Sequence, residues 1–304
     1  MLRFDEPLDD FSLMSDTGTA NFERRRARFY DLKNLPLSIS LAQLYQHPLE
    51  RLLKISVITV CFNSAKTIGR AIESFLRQDQ QDKEAIIIDG MSSDETVSIV
   101  QSFKSPIVKL LSEPDAGIYD AMNKGLQLYT GDAVGFLNSD DMFHDQRVLS
   151  KVALALADVD VVYGDLNMVT SHIGKATRRQ WRPGPYKSYS FQLGWAAPHP
   201  TFYLTRNAAE TVGGFDVRYS IAADYDLMIR ALHVHRLKWR YIPETFVDFQ
   251  LGGMSTRGWG AFLTANLECL AIRRRQLGSP PVDLALFLRP ARRIFQLRRT
   301  PAGE

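Results

Sequence analysis

The sequence predicts an α/β fold with a mainly parallel central sheet and helices on both faces. Three observations carry that prediction. From Lys54 to Asp141, short runs of β-branched and aliphatic residues alternate with helical patterns, as in a parallel sheet with crossover helices. The strand runs are apolar at successive positions, which suits strands covered on both faces. Several end in Asp or Asn, at the edge where open α/β sheets bind ligands.

The elements follow in order. Residues 1–53 are mixed in charge, include Arg24-Arg25-Arg26-Ala27-Arg28, and read as an extension with a short helix from Ser38 to Tyr45. Ile55 to Val60 is the first strand, and Asn63-Ser64 opens a helix through Leu76. Ala85 to Ile88 is a second strand, ending at Asp89-Gly90. A helix from Ser93 to Phe103 leads to a third strand, Val108 to Ser112. Ile118 to Leu128 has apolar residues at helical spacing, and Ala133 to Leu137 is a strand that stops at Asn138-Ser139-Asp140-Asp141.

The second half is less regular. Val148 to Leu156 is a helix, Val159 to Tyr163 a strand, and Lys175 to Tyr186 a polar connection with Arg and Pro. Pro198-His199-Pro200 turns into a strand, and Gly213-Gly214 stops a helix begun at Asn207. Asp224 to Val234 is helical and Trp239 to Ile242 extended. A helix from Trp259 to Gln276 breaks at Ser279-Pro280-Pro281, before a basic amphipathic segment from Leu284 to Arg299. The organisation expected is an extension (1–53), a central domain (54–258) and a helical basic tail (259–304).

The 304 residues, 45% hydrophobic and 23% charged, suffice for a sizeable core, and a net charge of +3 is too weak to argue for nucleic acid. From Thr264 onward eight Arg face Glu268, Asp283 and Glu304, so the basicity belongs to the tail. Cys61 and Cys269 suggest neither a disulfide framework nor a zinc site. The start lacks the pattern of a signal peptide, and nowhere do about 18 apolar residues follow one another. The expected location is the cytoplasm, or peripheral on the cytoplasmic face of the inner membrane.

Asn138 to Asp141 fits two readings, a polar strand-to-loop turn or a site where hard oxygen ligands hold Mg²⁺ or Mn²⁺ with a phosphorylated substrate. Asn63, Asp89, Asp115 and Asp224 also fall after strands or at helix starts. So many carboxylates converging on one crevice call for a cation or many hydrogen-bond donors. The turn after the first strand reads Cys61-Phe62-Asn63-Ser64-Ala65-Lys66, which excludes the Gly-x-Gly-x-x-Gly of a dinucleotide site. It also lacks the Gly-rich loop of a sugar-1-phosphate nucleotidyltransferase, and a Walker lysine loop is missing.

In this order and spacing, Thr59 to Asn63, Ile88 to Thr96, Ser112 to Gly125, Leu137 to Asp141, Gly213 to Asp216 and Asp224 to Leu227 resemble the family 2 glycosyltransferases of GT-A fold. The resemblance spans roughly Lys54 to Ser255. It implies inverting transfer from a nucleotide-diphosphate sugar, a UDP-sugar, to a glycan or lipid-linked glycan in bacterial surface polysaccharide synthesis.

The resemblance also implies roles. Asp89 accepts from the base, with the Val60 and Cys61 backbone beside the nucleoside, and Asp115 binds ribose or base. Asn63, Lys124 and Ser139 complete the donor site. Asp140 ligates the metal, with Asp141 sharing it. Asp224 is the catalytic base. His199 and Asp226 contact acceptor or phosphate. Departures are Asn138 and Ala223, where the family often has acidic residues. They leave open a catalytically inactive nucleotide-sugar-binding relative acting as a sensor or assembly partner. The tail, rich in Phe, Leu and Arg, suits an anionic membrane interface or docking on the domain.

Overall fold

The computed structural model describes residues 53–170, 177–251, 258–280, 283–286 and 288. The expected helix at 38–45, the last residues of the resemblance (252–255) and the basic residues after 288 lie outside these. The described elements are β1 (Ile55–Cys61), α1 (Ile68–Leu76), β2 (Lys83–Asp89), α2 (Thr96–Ser102), β3 (Val108–Ser112), α3 (Ile118–Leu128), β4 (Ala133–Phe136) and β5 (Met142–Phe143). They continue as α4 (Val148–Leu156), β6 (Val161–Val169), β7 (Thr177–Trp181), β8 (Tyr203–Thr205), α5 (Arg206–Val212), α6 (Ala223–Ile229), β9 (Trp239–Gln250) and α7 (Gly258–Leu277).

β1 and β2 are buried along their whole length, because side chains of alternating direction enter two different cores. Ile58, Val60, Ile86 and Ile88 meet Tyr119 and Met122 of α3 together with α6 and α7. Ile55, Val57, Cys61, Ala85 and Ile87 meet Ile68, Ile72 and Phe75 of α1, and α4 closes the same layer. The fit of α3 on β1 depends on Gly125: a Cβ there would lie 2.5 Å from Ile58 Cγ2.

The strands form one sheet in the order β3-β2-β1-β4-β8-β6-β9-β5, with β7 beside β6. β3, β2, β1 and β4 are mutually parallel. Their carboxyl ends therefore share one edge. Chain order reverses between β1 and β4, and a reversal of this kind opens a crevice above the sheet. Beyond β4 the sheet is mixed, with β8 antiparallel to β4 and β6, and β9 parallel to β6.

Several elements are longer or later than expected. β6 runs on through Gly164 to Val169, and β9 continues past Pro243 to Gln250; irregular register between Tyr163 and Leu166 lets the pair absorb the proline. β7, inside the expected polar connection, is an edge strand bound only to β6, which is why its Thr-Arg-Arg-Gln sequence suits it. α1 and α2 start later than expected, because Asn63 and Ser93 are used between loops: Asn63 Oδ1 accepts from Ser93 N at 2.9 Å.

Candidate active site

At the crevice between β1 and β4 the strand-end loops touch one another. Ser64 Oγ and Ser139 Oγ lie 3.0 Å apart, joining the loop after β1 to the loop after β4. Asn63, with φ 48°, donates its backbone N–H to Ser92 Oγ at 2.7 Å. With its side chain accepting from Ser93 N, Asn63 ties the end of β1 to the loop after β2 through both backbone and side chain.

Asp89, at the end of β2, is fully buried. One carboxylate oxygen accepts from Ser92 N at 3.0 Å and Ser112 Oγ at 2.7 Å, the other from Ser92 Oγ and the Cys61 thiol. Burial alone would raise this carboxyl, but the hydrogen bonds from Ser92 and Ser112 hold it below the usual aspartate value. Asp89 therefore orders the three strand-end loops, its oxygens already taken.

Asp115 stands in front of it. Its Oδ1 accepts from Gly117 N at 2.8 Å, and its Oδ2 would lie 2.4 Å from a Cβ on Gly90. The missing side chain at Gly90 makes the room that Asp115 occupies. The same Cβ would be 3.6 Å from Phe62 Cδ2, and the Phe62 side chain is 63% exposed. An exposed aromatic ring beside a half-buried carboxylate at a strand-end crevice is suited to a planar base with N–H donors. Sequence reading passed over Phe62; the signal was a large aromatic directly after a buried strand, in an otherwise polar turn.

Lys124 Nζ is held by Glu113 at 2.9 Å and by the Pro114 carbonyl, so it braces the loop carrying Asp115. A phosphate contact from it would require breaking those bonds.

On the β4 side, Asp141 is fully buried, accepting from Asn138 Nδ2 at 2.7 Å and from Gln250 N at 3.0 Å. Burial and neighbouring Asp140 push its carboxyl well above the ordinary range. The expectation that it shares a metal gives way to an anchoring place, with both oxygens turned to protein groups. Asp140 is partly exposed. Among the described residues no three His, Cys, Asp or Glu side chains converge as a ligand set. One carboxylate and the Asn138 amide oxygen still fit a cation such as Mg²⁺, which keeps several waters and is held by one or two carboxylates plus substrate phosphates.

From β4 a run of rings leads to α6. Phe136 lies 4.9 Å from the His199 ring, His199 5.5 Å from Phe215, and Phe215 is stacked 5.4 Å from Tyr119. Tyr119 then donates to the Ile221 carbonyl at 2.6 Å, just ahead of α6. This path joins the end of β4, four residues before Asp140, to the segment that precedes Asp224 in the first turn of α6. Burial lowers the His199 pKa to about 4, and its Nε2 has no hydrogen-bond partner among the described residues. Burial thus keeps the imidazole neutral, as one of the packed rings of the path.

Asp226 has a different place from the one expected. It is buried, and its oxygens take Arg230 Nε at 2.7 Å and Gln276 Nε2 at 2.9 Å. Arg230 in turn donates to the Val212 and Gly214 carbonyls. Asp226 thus holds the Gly213-Gly214-Phe215 loop instead of facing acceptor or phosphate.

The family model described as Glycosyl transferase family 2 matches residues 56–207. The chain belongs to glycosyl transferase family 2. Among curated relatives, this glycosyltransferase is similar to a PGL/p-HBAD biosynthesis glycosyltransferase of Mycobacterium bovis, 30% identical over 207 residues, covering 66% of this chain and 78% of the relative. Among solved structures it resembles S. aureus TarS 1-349 in complex with UDP (TM-score 0.57, 18% identity, 76% and 68% covered). It likewise resembles the mannosyltransferase PcManGT of Pyrobaculum calidifontis in complex with GDP-Man and Mn²⁺ (TM-score 0.58, 16% identity, 88% and 75% covered). The fold is GT-A. No described helix of the glycosyltransferase is long and apolar enough to cross a membrane.

Proposed function

We propose that this glycosyltransferase moves a hexosyl or N-acetylhexosaminyl group, with inversion, from a UDP-sugar to a lipid-linked glycan in the synthesis of a surface polysaccharide. The observation that carries the reading is the ring path from Phe136 to Tyr119, which couples the loop of Asp140 to the helix of Asp224 beside the Phe62 and Asp115 shelf. Phe62 offers its face to the base and Asp115 accepts from base or ribose, while Val60 and Cys61 supply the backbone wall. Ser139 and Asn63 border the diphosphate.

Asp140, with the Asn138 oxygen, would hold a divalent cation, Mn²⁺ or Mg²⁺, whose charge would offset that of the leaving diphosphate. Asp224 takes the proton of the acceptor hydroxyl as its oxygen attacks the anomeric carbon. The bond from that carbon to the diphosphate breaks, and the nucleoside diphosphate leaves. His199, buried between Phe136 and Phe215, is assigned the acceptor side of the site, which it shapes through those rings. The basic residues from Arg289 to Arg299 are proposed to rest on an anionic membrane surface, where each is worth about 1 kcal/mol.

The test is a panel of nucleotide sugars with Mn²⁺ and a lipid-linked glycan extract, following nucleoside diphosphate release and product configuration. Wild type is expected to consume one donor, and Asp224→Asn to bind it equally while losing about 10²–10⁴-fold in rate. Metal-dependent donor binding by wild type with no transfer to any acceptor would instead support the inactive, sensing relative.

A further inference from the structure

α6 begins without a side-chain cap of its own: Ala222 stands at its N-cap. Alanine supplies no side-chain oxygen at that position, and within the first turn Asp224 Oδ1 accepts from Tyr225 N at 2.7 Å. The three backbone N–H groups just ahead of the helix find their acceptor far along the chain. Glu268, on α7, takes Ser220 N at 2.8 Å and Ser220 Oγ at 2.7 Å on one oxygen, and Ile221 N at 2.9 Å and Ala222 N at 2.8 Å on the other.

The rest of α7 docks on the same region. Cys269 and Ile272 enter the core that holds Ala222, Ala223 and Tyr225. Arg273 is fully buried, paired to Asp283 and 3.5 Å from the Tyr225 hydroxyl, and Gln276 reaches Asp226. Residues 220–222 are thus held from two sides, their N–H groups by Glu268 and the Ile221 carbonyl by Tyr119. Burial alone would raise the Glu268 carboxyl, but the bonds from Ser220, Ile221 and Ala222 bring it below the usual glutamate value.

We infer that α7 is a working part of the active site and that Glu268 is a positioning residue, fixing the segment that aims Asp224 at the acceptor. This rests on Asp224 being the base. The segment matched by the family model ends at 207, so nothing in that match assigns α7 a role. A helix that only covers apolar surface would present leucines at this spot. Here a carboxylate meets three consecutive backbone donors that end two positions ahead of the base.

Hydrogen–deuterium exchange and kinetics on the full chain test this, with Glu268→Ala, Glu268→Gln, Asp224→Asn and, on the exposed face of α7, Leu263→Ala. In Glu268→Ala the amides of residues 220–222 should exchange at least tenfold faster, while β1 and β2 keep their protection. With the donor that wild type consumes, kcat should fall 10- to 100-fold with donor KM within twofold of wild type. Glu268→Gln, which keeps one acceptor oxygen, should lie between, and Leu263→Ala should match wild type. Unchanged exchange at 220–222, a kcat equal to wild type, or donor KM rising in step with the loss of kcat in both Glu268 variants overturns the proposal. Full turnover by Asp224→Asn overturns the assignment of the base instead, and the positioning role falls with it.

Discussion

Asn123 pairs with both backbone groups of Phe215: its Nδ2 donates to the Phe215 carbonyl at 2.9 Å and its Oδ1 accepts from the Phe215 N–H at 2.7 Å. The contact fixes a ring of the path between Asp140 and Asp224, and it needs Gly214, where a Cβ would stand 2.6 Å from Asn123 Oδ1. Asn123→Ala strands two partly buried backbone groups. Its expected cost is about 1–3 kcal/mol of stability, measured by urea unfolding, with the rate of transfer falling more than donor affinity.

Gly90→Ala should act on the donor alone. Gly90 has no positive φ, so its backbone accepts alanine, but the new methyl would meet Asp115 Oδ2 at 2.4 Å. Asp115 must swing away from Phe62. Nucleotide affinity measured by calorimetry should drop about tenfold, equal to about 1.4 kcal/mol, with the melting temperature nearly unchanged. Unaltered affinity would remove Asp115 from the base shelf.

Asp140→Ala should abolish the effect of metal on donor binding. If wild type gains about 2.7 kcal/mol from a nucleotide sugar at 100 times its dissociation constant with Mn²⁺ present, the variant should show the same small thermal shift with Mn²⁺ or with EDTA. Asp141→Asn should behave differently. It sits behind Asn138 and against Gln250, so the loss expected is in folding stability, with the metal effect retained.

Glu84 predicts an acid limb of stability. It is buried at the amino end of β2, bound to Lys109 at 2.8 Å, Lys54 at 3.1 Å, Ser56 Oγ at 2.7 Å and Thr130 N at 2.6 Å. Burial would raise its carboxyl, but Lys109, Ser56 and Thr130 hold it far below its ordinary value of 4.5. A folded pKa below the unfolded one gives stability that is complete above about pH 4.5 and is lost as pH falls toward the folded value. Glu84→Gln should cost about 1–3 kcal/mol at pH 7 and flatten this limb in unfolding measured from pH 6 to pH 3.

The sequence by itself determined the parallel half of the sheet. β1, β2, β3 and β4 are set by local signals, β-branched runs closed by Asp, Asn or Gly, and such runs read the same wherever they pack. It also put Asp89, Asp115, Asp140 and Asp224 at strand ends or a helix start. What it did not determine is which way each carboxylate faces. Asp89 and Asp115 look alike in sequence, yet one is consumed by Ser92 and Ser112 while the other fills the space left by Gly90.

Only the tertiary structure decided this, because a carboxylate's role depends on whether nearby donors already saturate its oxygens, and those donors come from distant segments. Asp226 is held by Gln276 and the start of α6 by Glu268, about 50 residues away, and no periodicity or spacing encodes a contact between such positions. β5, β7 and the far end of β9 were hidden for a related reason. Their residues are extended through pairing with β6 and β9, and their own sequences, polar, very short or interrupted by Pro243, carry little strand preference.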